Sequence, residues 1–251
     1  MRYAYPCVGT TGLCNMFYPW ARAVVWARDN DARVIAPNWV QFGRLGVWLR
    51  RERDKRTYWR QFTDTGYVTG LTKRWILLMQ KESITMFSGR EEWGWMEPVK
   101  AERRFLTKEL ERIVNPDILN HLKQLPLNYI GVHIRKGDFH YGDELQPDEY
   151  YLAAIRQARQ EHGEELPVLV FSDAEEGELA FLGALPDVVR MPPAPAVHDV
   201  LALSRATVMV GTNHSTFSYW GAFLGRDKVS YWSKLKHKAQ LPLDVCEVRY
   251  V

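Results

Sequence analysis

Residues 129–138 read Tyr129-Ile130-Gly131-Val132-His133-Ile134-Arg135-Lys136-Gly137-Asp138, and this stretch decides the fold. Its first part is a short apolar run rich in β-branched residues, with Pro126 just before it and Gly137 closing it. A run of this kind between breakers predicts a buried strand of a parallel sheet. Its second part changes abruptly to two cations, a glycine and a carboxylate. Ligands of open α/β sheets bind outside the carboxyl ends of strands. Two adjacent cations there would neutralise a phosphate pair, and Arg can grip one phosphate bidentately. A solvated charged loop is the competing reading of the same residues.

Downstream, Phe139-His140-Tyr141-Gly142-Asp143-Glu144 reads as a polar loop, and Pro147-Asp148-Glu149 opens a helix through about Glu161. Pro167-Val168-Leu169-Val170-Phe171 is a second apolar strand ending in Ser172-Asp173. If the two strands are parallel neighbours, Asp173 faces the same crevice as Arg135. A helix over about 175–182, a short strand over 188–191 and a rigid Pro192-Pro193 exit follow. His198–Arg205 reads as an amphipathic helix and Thr207–Gly211 as a strand. In 212–223, small hydroxyl and amide residues, among them Asn213, Ser215 and Thr216, precede an apolar helix. That helix start would aim backbone donors at an anion, or Ser215 or Thr216 is simply its N-cap. Lys228–Trp232 closes the sheet. Alternating strands and helices predict an α/β domain with a parallel sheet. No Gly-x-x-x-x-Gly-Lys-Ser/Thr loop is present, which excludes a P-loop NTPase.

Upstream, residues 2–8 predict a first strand, followed by the loop Gly9-Thr10-Thr11-Gly12-Leu13-Cys14-Asn15 and a helix from Met16 to Arg28. Pro19 fits near that helix start, where a missing N–H costs nothing. The glycine spacing is not that of a dinucleotide fingerprint. Ala32–Ala36 reads as a second strand ended by Pro37. The stretch 38–100 lacks clean periodicity and is dense in Trp and Arg. Within 50–60 lies a basic cluster, a solvated face or an approach surface for an acidic membrane or a diphosphate-bearing acceptor. Asn115-Pro116-Asp117 starts a helix expected to reach about Gln124. Leu125-Pro126 is the expected boundary between domains 1–125 and 126–251.

Composition narrows the function classes. The 251 residues suffice for one large domain or two small ones. A net charge of only +3 gives no global nucleic-acid footprint, so nucleic acid is not an expected partner. Ten Trp and twelve Tyr suit carbohydrate or lipid-interface contacts, although most large aromatics serve the core. Cys7, Cys14 and Cys246 are odd in number and not spaced for a metal, which argues against a disulfide framework or a zinc site. No signal-peptide core and no run near the roughly eighteen apolar residues of a membrane helix is present. The expectation is a soluble, cytoplasmic protein, with a peripheral membrane contact through the basic stretch.

Four motifs in order resemble the alpha-1,2-fucosyltransferases (glycosyltransferase family 11), within the wider superfamily of GDP-fucose fucosyltransferases. Thr11-Gly12-Leu13-Cys14-Asn15-Met16-Phe17 resembles the family's Gly-Leu-Gly-Asn-Gln-x-Phe. His133-Ile134-Arg135-Lys136-Gly137-Asp138-Phe139 resembles its His-x-Arg-Arg-Gly-Asp-Tyr/Phe. Phe171-Ser172-Asp173 matches in place, and Asn213 to Ala222 resembles its Asn-Ser-Ser/Thr-Phe-Ser-Trp-Trp-Gly-Ala. Lys136 stands where the family has a second arginine, Cys14 and Met16 depart from the first motif, and His214 is an insertion in the last.

The resemblance implies a GT-B architecture, two facing Rossmann-like domains with parallel sheets. It implies inverting transfer of L-fucose from GDP-fucose to a hydroxyl of a glycan acceptor, with no cofactor and no metal. A surface-polysaccharide intermediate on a lipid diphosphate suits the locally basic chain as acceptor. By the same resemblance Arg135 would bind the β-phosphate, His133 and Asp173 would help hold the guanosine, and Ser215 and Thr216 would contact the pyrophosphate, with Lys136 and Asn213 also on the donor side. Gly12 and Asn15 would face the acceptor. An acceptor hydroxyl needs a base. Asp143 is the candidate, while Asp138 either serves the chemistry or braces Arg135. The competing classes are a GT-B transferase with another nucleotide sugar and a non-catalytic nucleotide-sugar-binding relative.

Overall fold

The structure, a computed structural model, describes residues 1–9, 11–40, 57–88, 96–137, 145–225, 228–234 and 247–251. Asp138, Asp143 and most of the basic stretch, residues 50–56, lie outside the described residues. The chain divides into two compact units, the first ending at Leu119 and the second taking up Asn120–Val251.

The first unit is built on a parallel three-stranded sheet of order β2-β1-β3, with β1 Tyr3–Cys7, β2 Arg33–Val34 and β3 Ile84–Ser88. Helix α1, Leu13–Asp29, connects β1 to β2 and buries Leu13, Cys14, Met16, Phe17, Trp20 and Val24. It starts three residues earlier than Met16, so Pro19 lies inside the helix instead of near its start. Burial of Leu13 and Cys14 outweighs the N–H that Pro19 cannot offer the preceding turn. Strand β3 lies in the stretch where no sequence periodicity was legible. Helix α2, Gly70–Met79, leads into it. Helix α3 spans Arg103–Ile113 and α4 spans Pro116–Leu122. Asn115 caps α4 as its sequence predicts, its Oδ1 accepting from the Asp117 N–H at 3.0 Å.

The second unit is a six-stranded, wholly parallel sheet of order β6-β5-β4-β7-β8-β9. The strands are β4 Ile130–Ile134, β5 Val168–Ser172, β6 Val188–Arg190, β7 Val208–Val210, β8 Val229–Trp232 and β9 Glu247–Tyr250. From β4 the chain moves outward to β6, returns to the other flank of β4, and moves outward again to β9. This is a doubly wound order, and its switch point lies between β4 and β7. Helices α5 Asp148–His162, α6 Ala196–Arg205 and α7 Thr216–Leu224 cover the sheet. Glu176–Ala184, expected as an α-helix, is a tighter 3-10 segment. Gly177 and Gly183 within it weaken α propensity.

The core of this unit joins Ile130, Val132 and Ile134 of β4 to Val168, Val170, Val208, Val210 and the inner face of α5. Helix α6, expected to be amphipathic, is buried from Val197 through Ser204. Glycines make the close packing possible. A Cβ on Gly131 would lie 2.8 Å from the Ala206 Cβ, and one on Gly221 of α7 would lie 2.9 Å from the Leu203 Cβ.

Candidate functional site

Strands β4 and β5 stay in register up to Ile134 opposite Ser172, so Arg135 and Asp173 leave the sheet side by side. The Arg135 Nη1 lies 2.6 Å from the Asp173 Oδ2, and the Lys136 N–H donates to the Asp173 Oδ1 at 2.9 Å. Both carboxylate oxygens therefore hold the β4 exit in place. Gly137 makes room for this: a Cβ there would lie 2.3 Å from the Asp173 Oδ2. Lys136 turns elsewhere. Its buried ammonium sits 2.7 Å from the Asp148 Oδ1 in the first turn of α5 and 5.8 Å from the centre of the Phe181 ring. Of the two adjacent cations, Arg135 is the one braced by the carboxylate at the neighbouring strand end.

Across the switch point, buried Thr212 ties the exit of β7 to that of β4. Its hydroxyl donates to the His133 carbonyl at 2.7 Å and accepts from the Arg135 N–H at 3.2 Å. Its remaining acceptor position faces the Tyr151 hydroxyl at 2.9 Å. The Thr212 proton is committed to the carbonyl, so Tyr151 is the donor of that pair. Burial pushes the Tyr151 phenol well above its usual pKa, which keeps that proton in place. One hydroxyl thus uses its single proton and both lone pairs.

His133 at the end of β4 stacks on Phe217 with ring centroids 4.8 Å apart, and its Nδ1 lies 2.7 Å from the Ser218 Oγ. Burial, with the Arg135 cation nearby, pushes its imidazole down to about 3, so it is neutral at physiological pH. The Ser218 Oγ also accepts from the Thr212 N–H at 3.0 Å. The site-facing turn of α7 and the exit of β7 are thereby fixed to each other.

Helix α7 begins at Thr216, and Ser215 is its cap residue with extended backbone, yet no side-chain cap hydrogen bond forms. A helix N-terminus carries unsatisfied N–H groups and a partial positive charge. The simple N-cap reading of Ser215 therefore does not account for this turn. His214, an insertion relative to the family motif, takes a left-handed φ of +62°, and its N–H donates to the Tyr219 hydroxyl at 2.9 Å. Asn213 is buried, its amide donating to the Ser233 carbonyl at 3.0 Å, so it fastens the loop to the end of β8.

The structure thus gathers His133, Arg135, Asp173, Ser215 and Thr216 at the carboxyl edge of the second sheet, and places Lys136 and Asn213 in supporting bonds beside them. Gly12 and Asn15 belong to the first unit. There Gly12 is the cap of α1, and its carbonyl accepts the Asn15 N–H at 3.0 Å. Thr212, Ser218 and Asp148 were not singled out from the sequence. The hydroxyls carried a usable signal, because each lies within the stretch 212–223 of small polar residues ahead of and in the apolar helix. Asp199 was also missed. It is buried in the first turn of α6 with its Oδ1 3.0 Å from the His198 Nδ1. Leu203 in the last turn of that helix and Ala206 just after it pack on Gly131 near the start of β4, so the helix runs back along the strand with its first turn toward the strand's carboxyl end. Among the described residues no group of three or more His, Cys, Asp or Glu side chains is placed to hold a metal ion.

Chemically, a braced guanidinium beside an uncapped helix start suits a diphosphate better than a single carboxylate. No family model matches this chain, and no curated protein does. Solved structures do. NodZ alpha-1,6-fucosyltransferase soaked with GDP-fucose superposes with a TM-score of 0.57 at 14% identity, over 90% of this chain and 93% of that one. POFUT1 in complex with GDP gives 0.56 at 14% identity, over 99% and 98%. Fucosyltransferase NodZ from Bradyrhizobium gives 0.51 at 15%, over 90% and 94%. These likenesses show the fold, an α/β GT-B type with parallel sheets, as the family resemblance implies.

Proposed function

We propose that this chain is a glycosyltransferase that moves L-fucose from GDP-fucose to a hydroxyl of a glycan acceptor. The observation that carries the reading is the Arg135–Asp173 pair at the β4/β5 exit, bonded through Thr212 to the loop that starts α7. Among the solved structures of similar fold are NodZ soaked with GDP-fucose and POFUT1 in complex with GDP or GDP-fucose.

In the proposed reaction the bond between the fucose anomeric carbon and the β-phosphate oxygen breaks, and GDP leaves with the electron pair. The acceptor oxygen attacks the opposite face, which inverts the anomeric centre, and its proton passes to a base. Negative charge grows on the diphosphate, where the Arg135 guanidinium and the N–H groups of α7 oppose it. Removing one preorganised donor of this kind costs about 10²–10³ in rate. On this reading Asp173 positions Arg135. The guanine's N–H groups then need another acceptor, and the carboxylate of Asp199 in the first turn of α6 is the one proposed. Asp143 remains the proposed base, and the first unit the acceptor side. The alpha-1,2 placement, a surface-polysaccharide acceptor, metal independence and a cytoplasmic location belong to the same proposal. The test is donor turnover: GDP release from GDP-fucose, measured against GDP-mannose and a UDP-sugar, in the wild type and in Asp143→Asn. Selective release from GDP-fucose supports the reading. Turnover of another donor instead overturns the sugar assignment.

A further inference from the structure

Helix α2 of the first unit turns apolar residues in both directions. Ile76 and Leu77 pack with Tyr3, Ile35 and Val68 in the core. Leu71, Trp75, Leu78 and Met79, spaced i, i+4, i+7, i+8, form one stripe on the opposite side. They are 81%, 54%, 71% and 71% exposed. A depression at the end of the stripe is lined by Met1, Tyr3, Leu78 and Met79, with Lys81 and Glu82 at its polar edge. Met1 is itself exposed. A stripe of large exposed side chains on one helix face marks an interaction site, unlike scattered single exposed residues.

Charge identifies the occupant. Residues 1–119 carry twenty Lys and Arg against thirteen Asp and Glu, a net +7, while residues 120–251 carry −4. Arg74 and Lys81 flank the stripe and are exposed. We propose that this face of the first unit docks on an anionic lipid bilayer. Helix α2 lies in the headgroup plane, with Leu71, Trp75, Leu78 and Met79 at the acyl boundary and Arg74 and Lys81 among the lipid phosphates. Apolar insertion and attraction to anionic lipid act together in such contacts, and an indole suits the interface between them. A second copy seated on the same face would bring Arg74 and Lys81 of one copy close to those of the other. Among the described residues no helix is long and apolar enough to cross a membrane. The inference stands on this face alone and does not depend on the donor reading.

The test is co-sedimentation of the full chain with vesicles of phosphatidylcholine, with and without phosphatidylglycerol. The chain is expected to pellet with the anionic vesicles, less so as salt shortens the Debye length. The Leu71→Gln/Leu78→Gln variant is expected to lose at least about tenfold in partitioning, and Arg74→Glu/Lys81→Glu to lose binding to anionic vesicles. Both pairs are exposed, and unchanged melting temperatures would show that folding is intact. Wild-type binding that the apolar variant leaves unchanged, or no vesicle binding at all, overturns the proposal. So does a dimer in sedimentation velocity that the apolar variant abolishes while vesicles bind neither protein.

Discussion

Arg135 and Asp173 leave neighbouring parallel strands at the same level and meet at 2.6 Å, while the second oxygen of Asp173 holds the Lys136 N–H. The carboxylate thus fixes both the side chain and the backbone of the β4 exit. Asp173→Asn keeps the shape and removes the charge. Hydrogen bonds to charged groups are worth about 1.5–3 kcal/mol, so GDP affinity is expected to fall by about tenfold with little change in melting temperature. Isothermal titration of GDP checks it. An unchanged affinity would show that Asp173 does not position Arg135.

Gly137 offers a sharper version of that experiment. Gly137→Ala would place a methyl 2.3 Å from the Asp173 oxygen, so the carboxylate must move, whereas Gly12→Ala meets nothing within 4 Å. The first substitution is expected to weaken GDP binding and the second to leave it unchanged. Equal behaviour of the two would contradict the close approach.

Thr212→Val removes a buried hydroxyl that serves three partners, the His133 carbonyl, the Arg135 N–H and the Tyr151 hydroxyl. Leaving buried polar groups unsatisfied costs about 1–3 kcal/mol, so a clear drop in chemical-denaturation stability is expected. Thr212→Ser, which keeps the hydroxyl, should recover most of it. Failure of serine to rescue would show that the methyl group, and not the bonds, matters.

The pH dependence follows from His133. Its folded-state pKa is held near 3 by burial and by Arg135, below the ordinary value of about 6.5. The unfolded chain therefore binds the extra proton first as pH falls. This histidine's contribution is present above about 6.5 and is lost as pH drops from there toward 3. Denaturation midpoints measured across that window should fall, and fall less steeply in His133→Gln. Identical slopes in the two proteins would refute the assignment.

Much of the second unit was legible because its strands are short apolar runs with abrupt polar exits, as at Ile130–Arg135 and Val168–Asp173. Strand order was not legible, since no local pattern says that β7 returns to the flank of β4. The same limit hid the partner of Lys136. A cation next to Arg135 in sequence reads as a second phosphate ligand, yet the chain turns it onto Asp148. The burial of α6 on all sides was hidden because it depends on what α7 and β4 place around it. In the first unit β3 escaped notice, since Ile84-Thr85-Met86-Phe87-Ser88 has neither alternation nor a breaker ahead of it. At Ser215 the sequence allowed either a cap or an anion site, and the helix starts there without a side-chain cap bond.

The most direct test of the central claim is a thermal-shift titration with GDP, GDP-fucose, GDP-mannose and UDP, on the wild type and on Arg135→Ala. A ligand that binds only the native state raises its melting temperature by mass action. Selective stabilisation by GDP nucleotides that disappears in Arg135→Ala is the expected result. Stabilisation by UDP instead, or a GDP response that Arg135→Ala leaves intact, would contradict a GDP-sugar site built on the β4 exit.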